Sequence, residues 1–503
     1  MQDAASGTGT ITHDCACDQR THWDRTWGGA TVALPQDKTR TNVPTLPNDI
    51  HWLREIRSLV VLALPLIVNN LAISLTSFLD VVMAGRLGAT DLAGVGVGSA
   101  VWATVFLFGL GVLMAVSATV AHLVGDNRRA RVGGYFRQSL YIALALAALM
   151  MLAIYAFAAY GLHAVGISED IVPATRGYLM AIAWGLPLMY PYLCLRFTSE
   201  GIGHTAPIMY IALVSIAVNF LGNYTLMYGN FGAPRLGATG CGIASAISMW
   251  FSFAAMLWYV RWRRSVYSPL RLFKRFDWPN RARLRELLGL GLPIGGSVLA
   301  EVTLFSAAGI IMGVLGANQA AAHAVAINYA ATMFMIPLAM HSAITVRVGQ
   351  ALGRRQPRRA RLIGWMGVVL CGGFMTLSAV ALVVLREPIT MLYTSDQAVR
   401  DIAVGLLGMA MIFQISDGLQ VGAAGALRGY KDTRIPLLIN IIAYWLVGFP
   451  VALLAGLKLG LGPRGVWMGL AFGLTVAAVL LCVRFWRLSA PARAARTPPA
   501  TTS

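Results

Sequence analysis

The chain has 503 residues, 57% of them hydrophobic and only 12% charged, with a mean hydropathy of +0.65. Soluble domains carry about 25% charged residues, so this composition excludes a soluble globular fold and points to a polytopic membrane protein. The formal net charge of +19 matches that of a nucleic-acid binder, but where the basic residues fall excludes that class, as shown below.

Residues 1–50 are polar, rich in Thr, Asp and Gly, and have no periodic apolar face and no hydrophobic signal core. They are expected to form a disordered cytoplasmic extension. Cys15 and Cys17, with His13 and His22 nearby, make a lone CxC in a polar tail, which is read as tail and not as a metal site. Twelve apolar runs follow, at approximately 58–84, 92–117, 138–160, 178–195, 207–228, 240–260, 289–313, 319–343, 363–385, 404–425, 436–456 and 465–483. Twenty residues of helix span about 30 Å, the hydrocarbon thickness of a bilayer. The runs are long and do not alternate, so they are spanning helices and not barrel strands.

The first span has Pro65 near its entrance and Asp80 in its outer third; the second opens on the glycine-rich run GVGVGSAVW, which favours close helix approach. Pro187 and Pro191 interrupt the fourth, and such interrupted spans either line a cavity or carry a static kink. Asn219 and Asn223 share one face of the fifth. Residues 263–286 form the longest basic loop, a connector between a first six-helix bundle, 51–262, and a second, 287–488. A C-terminal tail, 489–503, is expected to be disordered and cytoplasmic.

With the N-terminus inside, 33 of the 40 Lys and Arg fall in the inner segments and 7 in the outer loops. This is the positive-inside asymmetry of a membrane protein with both termini in the cytoplasm, and it replaces the nucleic-acid reading. The bundles are related by duplication. An offset of 228 aligns Leu62–Pro65 with Leu290–Pro293, Met83–Ala89 with Ile311–Ala317, Gly125 with Gly353, Gly201 with Gly429 and Thr205 with Thr433. RRAR recurs at 128–131 and 358–361, an offset of 230. Six helices per half give both halves the same orientation, so they are related by an axis along the membrane normal with a cleft between them.

Among the 21 Asp and Glu, only Asp80, Glu301 and Asp417 lie inside the spans as drawn, and no Lys or Arg lies well inside one. A carboxylate at mid-membrane costs about 2.5–3.5 kcal/mol on insertion scales and marks an ion or substrate path. The competing reading, a Glu held by neighbouring helices for packing alone, would be served at lower cost by Gln or Ser. The acids are not copies of one another: at offset 228 Glu301 corresponds to Ile73, Asp417 to Met189 and Asp80 to Ala308. Glu301 and Asp417 form a candidate cation site if the seventh and tenth helices meet. Asp80 with Asn219 and Asn223 forms a candidate polar site in the first bundle. Phe413 lies one turn from Asp417 and is a candidate aromatic wall for a cation, or plain packing. An anionic cavity walled by aromatics and some of the 21 Met suits lipophilic organic cations. Cys194, Cys241, Cys371 and Cys482 read as small apolar fillers, and His323 and His341 as interface residues near the two ends of one helix. No P-loop, HExxH or GxSxG pattern is present, and the chain is not expected to be an enzyme.

The stretches LALPLIVNNLAISLTSFLDVVMAGRLG, NYTLMYGNFGAPRLGATGCG, GLPIGGSVLAEVTLF and DGLQVGAAGALRGYKDTRIP, in this order, resemble the multidrug and toxic compound extrusion (MATE) transporters of the NorM-like bacterial branch, over about residues 52–488. The resemblance implies an all-α membrane protein of twelve transmembrane helices in two duplicated six-helix bundles around a V-shaped cleft. It implies export of cationic drugs in exchange for Na⁺ or H⁺ across the bacterial inner membrane, with the family's membrane acids falling on Asp80, Glu301 and Asp417. The other bacterial branch has an Asp where this chain has Asn223, and the N-terminal extension is foreign to the family pattern. Expected partners are small organic cations and membrane lipid, with no nucleic acid. No cofactor and no tightly bound metal is expected, and the chain is expected to be a monomer. The alternative is a flippase for lipid-linked sugars of a related helical plan; its anionic head groups would want deep Lys or Arg, which the spans lack.

Overall fold

The structure, a computed structural model, describes residues 52–394 and 396–490. The N-terminal extension with its Cys15–Cys17 pair, and nearly all of the C-terminal tail, lie outside the described residues. Within them there is no strand, and the helices make twelve spans when the bent fourth is counted as one. The first half comprises α1 (Trp52–Gly85), α2 (Ala89–Gly125), α3 (Arg129–Ala164), α4 (Val172–Ala183 and Leu186–Gly201), α5 (Ala206–Leu226) and α6 (Gly237–Trp262). The second comprises α7 (Arg281–Leu315), α8 (Ala317–Gly353), α9 (Pro357–Tyr393), α10 (Gln397–Gly429), α11 (Arg434–Lys458) and α12 (Gly462–Ser489).

The two segments of α4 meet at 48°. The break lies just before Pro187, whose ring has no N–H to donate and crowds the carbonyl four residues back, at Ala183. The glycine run of α2 works as a docking face. Gly94 sits on Ala174 of α4 and Gly98 on the Tyr178 ring, so a Cβ at either position would collide. Two π-helical turns, Ile442–Gly448 and Leu454–Lys458, widen α11 around Pro450.

The helices are longer than their apolar runs, and this corrects the sequence-based boundaries. α8 continues ten residues past the expected end at 343, to Gly353, and α4 continues from 195 to Gly201. Arg196, assigned from the sequence to a loop, is therefore helical and buried, paired with Glu200 at 2.9 Å. Glu200 and Glu55 are buried acids that the count of apolar spans missed. His323 and His341 are likewise interior: both are buried, and His341 Nδ1 donates at 2.8 Å to the Val421 carbonyl.

The duplication extends to backbone angles. Gly88 and Gly316, 228 apart, both adopt positive φ (152° and 131°) at the turn into the second helix of their half. Asn127 and Arg355 (57° and 58°), and Gly203 and Lys431 (84° and 60°), repeat the match.

The halves join at the end of the bundle that carries the basic loops. Four pseudo-equivalent residues make a reciprocal pair of bonds there: His122 Nε2 lies 2.7 Å from the Gly429 carbonyl, and Gln350 Nε2 donates at 3.1 Å to the Gly201 carbonyl. Gly125 and Gly353 pack beside them, and a Cβ on either would strike the carbonyl of Gln350 or of His122. Glu55 at the start of α1 is held by Arg347 (2.6 Å) and by Arg359 of the second half. Leu59, Leu62 and Ala63 of α1 belong to the same apolar core as Met340, Ile344 and Phe485. Glu286 at the start of α7 accepts from Tyr135 of α3 at 2.6 Å. Deeper in, α2 and α7 touch at Gly111–Gly295, and Asn70 donates to the Met335 carbonyl at 3.3 Å. Among the described residues no hydrogen bond joins the halves beyond that mid-helix level. Toward the other end, Phe78, Ile310 and Val314 are all more than 60% exposed. The halves are thus bonded to each other at the basic end and at mid-helix, and not at the opposite end among the described residues.

Candidate functional site

Helix α10 is the centre of the second bundle, packed against α8, α9 and α12. Three polar residues, Gln414, Asp417 and Gln420, follow one another at a spacing of three along it, and all are buried. Four of their atoms have no hydrogen-bond partner: both amide atoms of Gln414, Asp417 Oδ1 and Gln420 Oε1. Leaving one buried polar atom unpaired costs about 1–3 kcal/mol, so a stripe of four is an expensive arrangement for packing alone. Gln420 Nε2 donates to the Tyr444 hydroxyl. Tyr444 stands in the first π-turn of α11, and its neighbour Trp445 donates at 3.2 Å to the Ala300 carbonyl of α7.

Glu301 is the next residue along α7. It is half-buried and makes no hydrogen bond or ion pair among the described residues. α7 packs on α2, α11, α8 and α12, and it meets α10 where Phe305, one turn on from Glu301, touches Phe413, one turn before Asp417. Phe413, one turn from Asp417, is 3% exposed. It packs edge-on to Phe305 (5.9 Å) and Trp467 (5.6 Å), and Trp467 Nε1 donates to His323 Nδ1 at 3.2 Å. Phe413 thus belongs to an aromatic layer beside the acids.

The first bundle has a different arrangement. Asn223 Nδ2 donates to Asp80 Oδ1 at 2.5 Å and to Asn219 Oδ1 at 3.1 Å. Asn219 Nδ2 donates to Ser245 Oγ at 3.3 Å, and Ser245 Oγ returns to Asp80 Oδ2 at 3.5 Å. The four side chains close a ring across α1, α5 and α6. Asn223 Oδ1 alone is left buried without a partner. No cluster of three or more His, Cys, Asp or Glu suited to a metal occurs among the described residues; the oxygens of this ring are instead hard amide, hydroxyl and carboxylate donors of the kind that suit Na⁺.

The structure therefore brings Asp80, Asn219 and Asn223 into one group and Glu301 and Asp417 into another, each inside its own bundle. Ser245, Gln414, Gln420 and Tyr444 escaped the sequence reading. The i, i+3, i+6 spacing of Gln414, Asp417 and Gln420 was the available signal for two of them; Ser245 sits in the small-residue run ATGCGIASAIS and gave none.

Two bundles of like orientation joined at one end, with unneutralised acids near mid-helix, are the arrangement of a membrane transporter. The chain belongs to the MATE family: the MatE family profile matches it twice, over residues 65–225 and 293–454. The two matches start 228 residues apart, the offset of the internal repeat. The chain is 39% identical to the multidrug resistance protein PmpM of Pseudomonas aeruginosa over 456 residues, covering 89% of this chain and 94% of that one. It is 41% identical over 444 residues to a probable multidrug resistance protein NorM of Xanthomonas axonopodis pv. citri, covering 88% and 96%. The fold matches that of the eukaryotic MATE transporter AtDTX14 with a TM-score of 0.80 at 20% identity, covering 88% and 98% of the two chains. A structure described as the outward-facing conformation of a multidrug resistance MATE family transporter matches equally, at 0.80 and 18% identity over 90% and 99%. The relatives are membrane transporters, not enzymes.

Proposed function

We propose that this protein is a cation-coupled multidrug efflux antiporter of the bacterial inner membrane, with both termini in the cytoplasm, that exports lipophilic organic cations by alternating access. The names of the relatives support the multidrug assignment. The observation that carries the coupling is the Gln414–Asp417–Gln420 stripe, with four unpaired buried atoms in the bundle that also holds the unneutralised Glu301. A bound Na⁺ or H⁺, or a cationic drug, supplies the missing partner, and ion and drug then compete for Glu301 and Asp417. Asp80, with Asn219, Asn223 and Ser245, forms the second ion-responsive group. The positive-inside asymmetry supports a cytoplasmic location for the end where the halves are bonded, and on this reading the cleft opens to the outside. Rocking of the halves breaks the reciprocal His122–Gly429 and Gln350–Gly201 bonds and reloads the site from within.

The test is efflux of a fluorescent cationic dye from energised cells, comparing wild type with Glu301→Gln at equal expression, with the Na⁺ and then the proton gradient collapsed. Export that is lost in Glu301→Gln supports the reading, and the gradient whose collapse stops the wild type names the ion. Dye that is never exported under either gradient sinks the cationic-drug assignment and turns attention to lipid-linked sugars.

A further inference from the structure

A cavity of about 750 Å³ opens at the basic end where the start of α7 meets the loop between α10 and α11, lined among others by Arg285, Glu286, Gly289, Lys431, Asp432 and Arg434. Its two acids are already committed. Glu286 accepts from Lys431 at 2.9 Å and from Tyr135 at 2.6 Å, and Asp432 is paired with Arg484 at 2.7 Å. The guanidiniums of Arg285 and Arg434 are exposed and have no acidic partner among the described residues. Gly289 leaves the floor open, since a Cβ there would meet nothing within 4 Å.

Two further features single this place out from the general excess of basic residues at that end. Lys431 holds a left-handed backbone, φ 60°, at the position where the first half has Gly203; a residue with a Cβ pays a conformational cost there that glycine avoids. The first half also has Ala206 in place of Arg434 and keeps only Arg57 in place of Arg285, so the scaffold alone does not produce the site. Below the cations the surface turns apolar. Leu292, two turns on from Arg285, and Leu438, one turn on from Arg434, are 49% and 53% exposed.

We propose that this cavity is a binding site for the phosphate-diester head group of an anionic phospholipid, with Arg285 and Arg434 gripping the phosphate and the acyl chains lying along Leu292 and Leu438. Free guanidiniums suit a phosphate through paired N–H donors, and basic pockets between spanning helices at the cytoplasmic face are the places where such head groups lodge. The apolar continuation favours a lipid over a soluble phosphate. The site bridges the halves, because Tyr135 of α3 and Lys431 both hold Glu286 at its edge.

The experiment is native mass spectrometry of the full-length purified protein titrated with phosphatidylglycerol and, separately, phosphatidylcholine. Wild type is expected to retain phosphatidylglycerol in preference. The double variant Arg285→Gln with Arg434→Gln should bind it about tenfold more weakly or worse. Arg285→Lys with Arg434→Lys should keep most of the binding, and a control of equal charge loss outside the cavity, Arg264→Gln with Arg487→Gln, should bind as wild type does. Undiminished phosphatidylglycerol in the cavity variant, or an equal loss in the control, overturns the site. Displacement of the lipid by millimolar inorganic phosphate overturns the lipid assignment and leaves a soluble anion as the ligand. Dye efflux measured on the same variants separates a failure of this inference from a failure of the transport reading.

Discussion

The two bundles are built on one backbone and carry opposite polar chemistry. In the first, Asp80 is knitted into a closed ring with Asn223, Asn219 and Ser245. In the second, Asp417 and the two glutamines beside it leave four buried atoms unpaired, and Glu301 across the bundle is unpaired as well. A buried carboxylate that is fully hydrogen-bonded supports its surroundings, whereas one without partners is a standing cost that only a ligand removes. The duplicated scaffold has thus separated a satisfied acid from a waiting one.

The largest expected effect separates these two acids directly. Asp417→Asn should cut dye export about tenfold or more while leaving the melting temperature unchanged or raised, because it deletes an uncompensated buried charge. Asp80→Asn should instead lower unfolding stability by about 1–2 kcal/mol, as expected for breaking hydrogen bonds to a buried partner. Thermal unfolding and efflux measured side by side on both variants decide the matter. If Asp417→Asn proves the destabilised one, or Asp80→Asn the silent one in stability, the contrast between the bundles is wrong.

An intermediate effect belongs to the junction, where the halves are equal. Gly125→Ala and Gly353→Ala each drive a methyl into a carbonyl of the other half. Overpacking of this kind costs about 1–3 kcal/mol, so the state closed at the basic end should lose about fivefold or more in population. Labelling of a cysteine at Ser117, which lines the small gap between Glu200 and Arg428, by an impermeant thiol reagent from the basic side should rise to a similar extent in both variants. A rise in one variant only would show that the closure is not the symmetric device its geometry describes.

The smallest effect lies in the connector, which is tied to the first half. Arg137 holds Asp277 at 2.6 Å and also donates to the carbonyls of Arg271 and Leu272. The Arg137 hydrogen bond, helped by the charges of Arg137, Arg275 and Arg283, outweighs desolvation and holds the Asp277 carboxyl below the usual carboxylate range. A lowered folded-state pKa contributes stability above the unfolded value, and that contribution fades as pH falls through the folded one. Unfolding followed from neutral to acid pH should therefore show a shallow loss at the acid end, which Asp277→Asn flattens. An unchanged acid limb in that variant would remove Asp277 from the account.

Much of this was legible in the sequence because the bilayer makes some residues conspicuous. An ionisable side chain in a run of Leu, Ala and Val stands out, so Asp80, Glu301 and Asp417 were visible at once, and the repeat was visible through its glycines and prolines. The apolar runs under-read the helices, since a helix continues past the hydrocarbon edge wherever protein takes the place of lipid. Arg196, Glu200 and Arg428 were lost to the loops for that reason. The polar companions were hidden for another. Ser245 and Tyr444 are ordinary residues for a spanning helix, and only the crossing of α6 with α1 and α5, and of α11 with α10, gives them a role.

The reciprocal closure at the basic end has a consequence for how the two halves diverge. In each bond the acceptor is a main-chain carbonyl, at Gly201 or at Gly429, and the donor is a side chain, Gln350 in one half and His122 in the other. A carbonyl of the main chain belongs to every residue type, so the opposing donor need only keep an N–H within reach. His and Gln already differ at these equivalent positions while the geometry stays paired. The two donor positions therefore tolerate a change of side chain, whereas the glycines packed around them do not, because a Cβ there would collide with the opposing helix.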